Sequence, residues 1–289
     1  MLPLDVQIEL FNKMVAPILL FGCEVWCPMM TGLSSKLQLR FFKIIFKLKK
    51  STPNVMVYGE LGQFPIEIEA KCRLLNYWYS LTDPNTPGKF SSTIHRFLLN
   101  AYVNNRYKSP YLTYVHDTLN GLGFSEYWIR QYEYRCTASA FKAKVKLRLK
   151  DQYIQGWFSD LDRKDACYNY KLFKTKFLFE DYISVLPEYL VHTFMQFRVL
   201  NNKLPVQKGR HQNVPRHERI CTKCESNDIG DEFHYVFTCA YFAESRRQYL
   251  PKFYLRSPNI IKFANLFQSK NRKTLRKLAL FLRAVMKEM

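Results

Sequence analysis

Cys221, Cys224, His234 and Cys239 set three thiols and one imidazole within 19 residues of a 289-residue chain. No other feature restricts the fold so strongly. The Cys-x2-Cys pair lets two sulfurs grip one ion from a tight turn. Nine residues then let the chain reverse, and His-x4-Cys places the last two ligands about one helical turn apart or across a short turn. Three thiolates and a neutral imidazole fill four tetrahedral positions and leave none for water or substrate. The expectation is one structural Zn2+, not a catalytic one. His211 and His217 lie just upstream and are alternative ligands in place of one cysteine. A disulfide is the competing use of the thiols, and it needs an oxidising compartment that nothing else in the chain suggests.

Of the remaining five cysteines, Cys23, Cys27, Cys72 and Cys136 are scattered in apolar settings and Cys167 lies between charged and aromatic stretches, and all five read as small buried residues. The N-terminus carries Asp5 and Glu9 and no basic leader, which argues against a signal peptide. The longest apolar run, Val15 to Cys23, is too short to span a bilayer and contains Pro17. The expectation is an intracellular protein of nucleus or cytoplasm, not secreted, with no membrane partner. A hydrophobic content of 47% supports a packed core and excludes a disordered chain.

Charge supplies the second constraint. Forty-four Lys and Arg face 24 Asp and Glu, a net charge of +20 that repels itself unless a polyanion is near. Nucleic acid is the first candidate, bound through phosphates as RNA, DNA or both; an anionic membrane surface is the second. Ser34 or Ser35 caps a predicted helix running to about Lys49. Leu37, Phe41, Ile44 and Leu48 are its expected core stripe, and Lys36, Arg40, Lys43 and Lys47 its basic stripe. An ordinary solvated face mixes signs, and this one does not, so phosphate contact stands beside solvation as its reading. Arg210 and Arg219 flank the cysteine stretch, with Arg246 and Arg247 just beyond it. Arg272, Lys273, Arg276 and Lys277 open the last helix, and from residue 246 onward 12 Lys or Arg face one acid, Glu288. A basic amphipathic helix also suits a membrane surface, which is the alternative for this tail.

The rest of the chain reads as mainly α: a multi-helix assembly with a small zinc knuckle near the C-terminus. Helices are expected over 4–21, bent at Pro17, and from Pro65 through Tyr79. Others are expected over 90–105, 109–122, 170–179, 186–201, from Ser257-Pro258, and from Asn271. Residues 141–150 alternate apolar and basic, as a strand would. Phe141, Val145, Leu149, Tyr153 and Trp157 also recur every four residues among good helix formers, and helix is favoured. Asp83-Pro84-Asn85-Thr86-Pro87-Gly88 is the clearest break. The expected segments are 1–82 (helical, thumb-like), 83–200 (helical connection), 201–250 (zinc knuckle) and 251–289 (basic C-terminal helices).

Catalytic machinery is missing from the pattern. Two-metal chemistry needs clustered carboxylates, and the adjacent acid pairs here are Glu180-Asp181 and Asp231-Glu232, with no Asp after Asp231. No Gly-rich phosphate loop is present, and no Ser or Cys nucleophile has a recognisable context. No catalytic residue is expected, and no enzyme activity of the chain on its own.

Phe197-Arg198, Leu204-Pro205, Gly209-Arg210, Arg219-x-Cys221-x2-Cys224, Asp231-Glu232-x-His234, Cys239, Tyr241 and Arg246 follow one another in a pattern. It resembles the C-terminal region of non-LTR (LINE-type) retrotransposon reverse transcriptases. Pro17, Gly22-Cys23-Glu24, Trp26, Lys50-Ser51-Thr52-Pro53 and Tyr58-Gly59-Glu60-Leu61-Gly62 resemble the helical thumb of the same proteins. The resemblance spans nearly the whole chain. It implies a thumb plus Cys-Cys-His-Cys zinc element without the palm's catalytic aspartates or the upstream endonuclease. It also implies a role in holding RNA or DNA, a reverse-transcriptase palm as a possible partner, and Cys221, Cys224, His234 and Cys239 as zinc ligands. The alternative is a repurposed retrotransposon remnant serving as a zinc-stabilised protein-interaction module.

Overall fold

A computed structural model describes residues 2–29, 32–83, 89–133 and 136–289. The expected break lies, apart from Asp83, outside the described residues. The fold is mainly α, with no strand among the described residues and a single short bridge between Ile220 and Ile229. The main helices are α1 (Leu4–Leu10), α2 (Leu33–Ile45), α3 (Asn54–Leu61), α4 (Ile66–Leu81), α5 (Phe90–Val103) and α6 (Pro110–Gly121). They continue with α7 (Ala138–Arg163), α8 (Glu188–Arg198), α9 (Pro205–His211), α10 (Ala243–Tyr249), α11 (Ile260–Phe267) and α12 (Arg272–Lys287).

The chain forms two compact units that interleave along the sequence. One comprises Met1–Leu10, Leu39–Gln63 and Trp157–Met289; the other comprises Phe11–Gln38 and Phe64–Gly156. Segments 1–82 and 83–200 therefore each contribute to both units.

In the second unit, α4 and the first part of α7 bury an aromatic core. Phe141, Val145 and Leu149 are buried at the four-residue spacing, so α7 is a helix and not a strand. Tyr79 stacks on Phe141 with ring centres 4.0 Å apart, and Trp128 stacks on the fully buried Trp78 at 6.1 Å. Cys23, Cys27 and Cys72 lie in this core, and Cys136 is half-buried. Ser109 caps α6, its hydroxyl accepting from the Leu112 amide at 3.3 Å. Near Pro17 the helix does not simply bend. Residues Phe11–Val15 form a π turn, and Pro17 opens the next turn, Ala16–Leu19. A proline has no N–H to give, and the wider turn absorbs the register shift.

Helix α2 departs from expectation in phase and length. Its buried side chains are Gln38, Leu39 and Phe42, with Phe46 buried just past its end, while Leu37 and Ile44 are exposed. The helix is apolar around most of its circumference, so periodicity alone cannot select the side that packs. It stops at Ile45. Lys47 adopts a left-handed φ of 52°, and the Leu48 amide reaches back to the Lys43 carbonyl at 2.7 Å. Lys47 is thus off the helix. Lys43 is not free for phosphate: its ammonium donates to the carbonyls of Lys50 and Thr52 and to Asn54 Oδ1, at 2.8–2.9 Å. Ser34 and Ser35 fall inside the helix and do not cap it.

The first unit is built around charges that are buried together. Arg198 forms a bidentate pair with Glu60, Nε to Oε2 at 2.8 Å and Nη2 to Oε1 at 2.9 Å. Its Nη2 also donates to Glu180 at 3.0 Å and its Nη1 to the Phe267 carbonyl at 3.0 Å. Tyr182 donates to Glu60 at 2.6 Å, and Lys174 pairs with Glu180. The expected helix over 170–179 is only Tyr170–Phe173, because the chain turns at Lys174 to bring that ammonium to Glu180 and the Leu178 carbonyl. Phe173, Phe194, Phe197, Phe263 and Phe267 pack around this centre.

Gly62 ends α3 at φ +56°, where a Cβ would lie 2.7 Å from the Leu178 carbonyl carbon and clash with the Phe179 amide. Backbone cannot step aside as a side chain can. Gly62→Ala is expected to cost about 2–4 kcal/mol, the left-handed penalty plus the overlap. Urea unfolding of the variant measures it, and a loss under about 1 kcal/mol would mean this turn relaxes freely.

Candidate metal centre

The chain approaches the centre through α9 and then a separate short turn at Arg216–Glu218. Arg219 then folds back, its Nε donating to the Val214 carbonyl at 2.8 Å and its Nη1 to the Val206 carbonyl at 3.1 Å. Its stem lies where a side chain at Gly209 would be. Beyond it the bridge at Ile220 and Ile229 closes a small hairpin. The Cys221 amide donates to the Asp228 carbonyl at 2.9 Å, and the Gly230 amide to the Arg219 carbonyl at 2.8 Å. Cys221 and Cys224 occupy this hairpin, and the Lys223 amide donates to Cys221 Sγ at 3.4 Å. Gly230 runs close against both Cys221 and Pro205; a Cβ there would lie 2.8 Å from Pro205 Cγ.

The other two ligand-type residues come from a π turn, His234–Thr238, with Cys239 ending it. Asp231 Oδ1 accepts from the His234 amide at 3.0 Å and so caps the turn. Arg216 holds the other oxygen of that carboxylate at 2.6 Å. Glu232 is buried between the amides of Asn169 and Gln207, at 2.7 and 3.1 Å, which ties the turn to two other segments. Burial, with Asp231 beside it, pushes its carboxyl above the ordinary glutamate range.

One ligand atom from each of Cys221, Cys224, His234 and Cys239 lies within 4.8 Å of all the others. Cys221 Sγ and Cys239 Sγ are 3.9 Å apart, and Cys224 Sγ is 3.3 Å from His234 Nε2. A tetrahedron with metal–sulfur bonds of about 2.3 Å separates its sulfurs by about 3.8 Å. These residues can hold a metal ion, and none of the eight cysteines is in a disulfide. His234 turns Nε2 toward the thiols. Its Nδ1 lies 3.0 Å from Thr238 Oγ1 and 3.5 Å from Asp228 Oδ2, partners that fix the ring and its tautomer. For Cys224, burial works to raise the thiol, but bonds from Ser226, Cys221 and His234 outweigh it and lower it to about 6. Burial and the neighbouring Cys221 push Cys239 up to about 12. A cation held here would displace whatever protons the thiols still carry.

His211 and His217 are exposed and stand outside this group. Of the basic residues singled out in the sequence, Arg246 is buried and is not available to a phosphate. Its guanidinium donates to the carbonyls of Val236 and Cys239, both at 2.8 Å, and so braces the metal turn against α10. Arg219 is spent on the two carbonyls of its own loop, and Arg210 is half-buried. Lys36, Arg40, Arg272, Lys273, Arg276 and Lys277 are exposed; Arg247 is exposed and paired with Glu244 at 2.6 Å. The residues that orient the centre, Asp228, Thr238 and Asp231, escaped the sequence reading, although Asp231 stood in the tract that carried the resemblance. Their only signal is proximity to the ligands in the chain.

No protein-family model matches the chain, and no curated protein or solved structure does. Among the described residues, no single helix is long and apolar enough to cross a membrane.

Proposed function

We propose that the chain is a zinc-containing, nucleic-acid-binding module of the kind found at the C-terminal end of a retrotransposon-type reverse transcriptase. The observation that carries the reading is the polar side of α12. Arg272, Lys273, Arg276, Lys277 and Lys287 are exposed there, while Leu275, Leu278, Leu282 and Val285 are buried on the other side. Successive turns 5.4 Å apart offer cations at a spacing that follows a phosphate backbone. Three thiols and an imidazole at tetrahedral separations suit Zn2+ and fill its coordination, so the ion's role is to hold the hairpin and the π turn together. In a reverse-transcriptase setting the chain would act with a palm-bearing partner, and adding such a chain in a primer-extension assay tests that part.

Binding of a labelled single-stranded RNA should weaken steeply with salt, the slope of log K against log salt falling by roughly 0.7 per phosphate neutralised. Arg276→Ala with Lys277→Ala should flatten that slope by about 1.4, two contacts' worth, while the zinc content stays the same. A second reading, a protein-interaction module, is favoured by the exposed apolar side chains Met14, Ile18, Phe21, Val25 and Met29 in the other unit. A salt-independent response of the intact chain would select it.

A further inference from the structure

The four ligand residues of the metal centre are not equally sheltered. Cys239 is 0% exposed, His234 2% and Cys221 6%, whereas Cys224 is part-exposed. The chain after Cys224 is open, with Glu225, Ser226, Asn227 and Asp228 all exposed. The Ser226 hydroxyl lies 3.3 Å from Cys224 Sγ, on that open side. A small polar oxidant therefore meets Cys224 first. The other two sulfurs are sheltered and anchored. The Cys239 amide donates to the His234 carbonyl at 2.8 Å, and Arg246 holds the Cys239 carbonyl. The Cys221 amide donates to the Asp228 carbonyl at 2.9 Å, and its sulfur is 3.3 Å from the Tyr235 hydroxyl. The Lys223 amide donates to Cys221 Sγ at 3.4 Å, which curls the loop leading to Cys224 around that sulfur. All the ligand atoms lie within 4.8 Å of one another. Joining Cys224 to Cys221 needs only this loop to tighten, whereas Cys239 belongs to the π turn.

We propose that Cys224 is an oxidation site, at which hydrogen peroxide joins Cys224 to Cys221 and so opens the metal centre. The proposal rests on the metal reading of these residues and not on the nucleic-acid one. A bound cation keeps the ligating sulfurs deprotonated, and the thiolate is the reactive form. The Cys224 thiolate attacks one peroxide oxygen. The S–O bond forms, the O–O bond breaks, and the departing hydroxide takes a proton from solvent to become water. Cys224 is then a sulfenic acid. The Cys221 thiolate attacks Cys224 Sγ; the S–S bond forms, the S–O bond breaks, and the second hydroxide also leaves as water. Two thiolates give up two electrons, one peroxide becomes two waters, and solvent supplies two protons. Cys239 and His234 are the ligands that remain, half of a tetrahedral set, and the hairpin and the π turn lose the ion that ties them. A reductant that returns both thiols restores the set, so the step is reversible.

Titrating the zinc-loaded full chain with hydrogen peroxide tests the proposal. A chromogenic chelator reads the released zinc, and differential alkylation with mass spectrometry maps the cysteines. One zinc should leave for each peroxide consumed, with a disulfide between Cys221 and Cys224 and with Cys239 still a free thiol. Dimedone added with the peroxide should be found on Cys224, and dithiothreitol followed by zinc should rebuild the centre. Cys136, part-exposed and outside the ligand set, is the internal comparison and should oxidise at least about tenfold more slowly. Cys224→His leaves two cysteines and two histidines, a set that also suits zinc, and should release it at least about tenfold more slowly under peroxide. If that variant does not load zinc, the wild-type map decides alone. Zinc that stays bound while Cys136 oxidises overturns the proposal, as does a disulfide between Cys221 and Cys239 with Cys224 free, or a loaded Cys224→His that releases zinc as fast as wild type. In each of those cases zinc is bound at the outset, and the metal reading stands. A chain that takes up no zinc overturns the metal reading and the proposal with it.

Discussion

Cys221→Ser is expected to empty the metal centre and unfold the hairpin and π turn around it, residues 219–242, while the rest of the unit stays folded. Structural zinc contributes about 10–16 kcal/mol of apparent binding energy at neutral pH. Apart from the metal, the hairpin is held by one short bridge, a few backbone bonds and the Arg219 guanidinium at its base. Cys221 is buried beside Cys239 and Tyr235, so the substitution removes one of the four corners of the ligand set. The consequence should extend along α10, because Arg246 holds the carbonyls of Val236 and Cys239. It should also reach Phe233 and Phe237, which pack against Phe263. Mass spectrometry should find one zinc per wild-type chain and none in the variant. Limited proteolysis should then cut the variant, or the chelated wild type, within 210–245 and leave the wild-type holoprotein whole there. Equal protection of that segment with and without chelator would show that the hairpin stands without metal.

Much of the helical framework was open to reading from the sequence, and the reasons are local. Asn271 does cap α12, accepting from the amides of Lys273 and Thr274 at 2.9 and 3.1 Å. Ser109 caps α6, and the four-residue spacing at Phe141, Val145 and Leu149 marks the buried side of α7. The four ligand residues lie close in the chain with distinctive chemistry, so their grouping was visible as well. What stayed hidden depends on distant partners. Arg198 and Glu60 are 138 residues apart, and as charged residues both look like surface until the fold brings them together. Lys43 and Arg246 joined the candidate phosphate contacts for the same reason: composition reveals a charge and not the carbonyls waiting for it. The phase of α2 was hidden because several of its sides are apolar. The interleaving of the two units leaves no mark in composition.

Removing Arg198 while leaving Glu60 is expected to be among the most damaging single changes in the unit. Glu60 and the Arg198 side chain are wholly out of solvent, and with Lys174 and Glu180 they make a set of two cations and two anions. Arg198→Met keeps the volume near Phe173 and Phe194 but strands a buried carboxylate, a loss of about 3–5 kcal/mol. Combining it with Glu60→Gln should return part of that loss, because the stranded charge is gone. The two chains should also differ in pH dependence. Burial alone would raise the wild-type Glu60 carboxyl; Arg198, Lys174 and the Tyr182 hydroxyl outweigh it and hold it below the ordinary range. Its stabilisation is therefore complete above the unfolded value of about 4.3 and is lost as pH falls through the lowered folded value. Without Arg198, burial prevails and the carboxyl rises. Its cost is then greatest near neutral pH and eases as pH drops through the raised value. Urea unfolding at a series of pH values should show the gap between wild type and Arg198→Met narrowing on acidification. A gap that stays constant with pH would mean the loss comes from packing around the Arg198 stem and not from the charge left on Glu60.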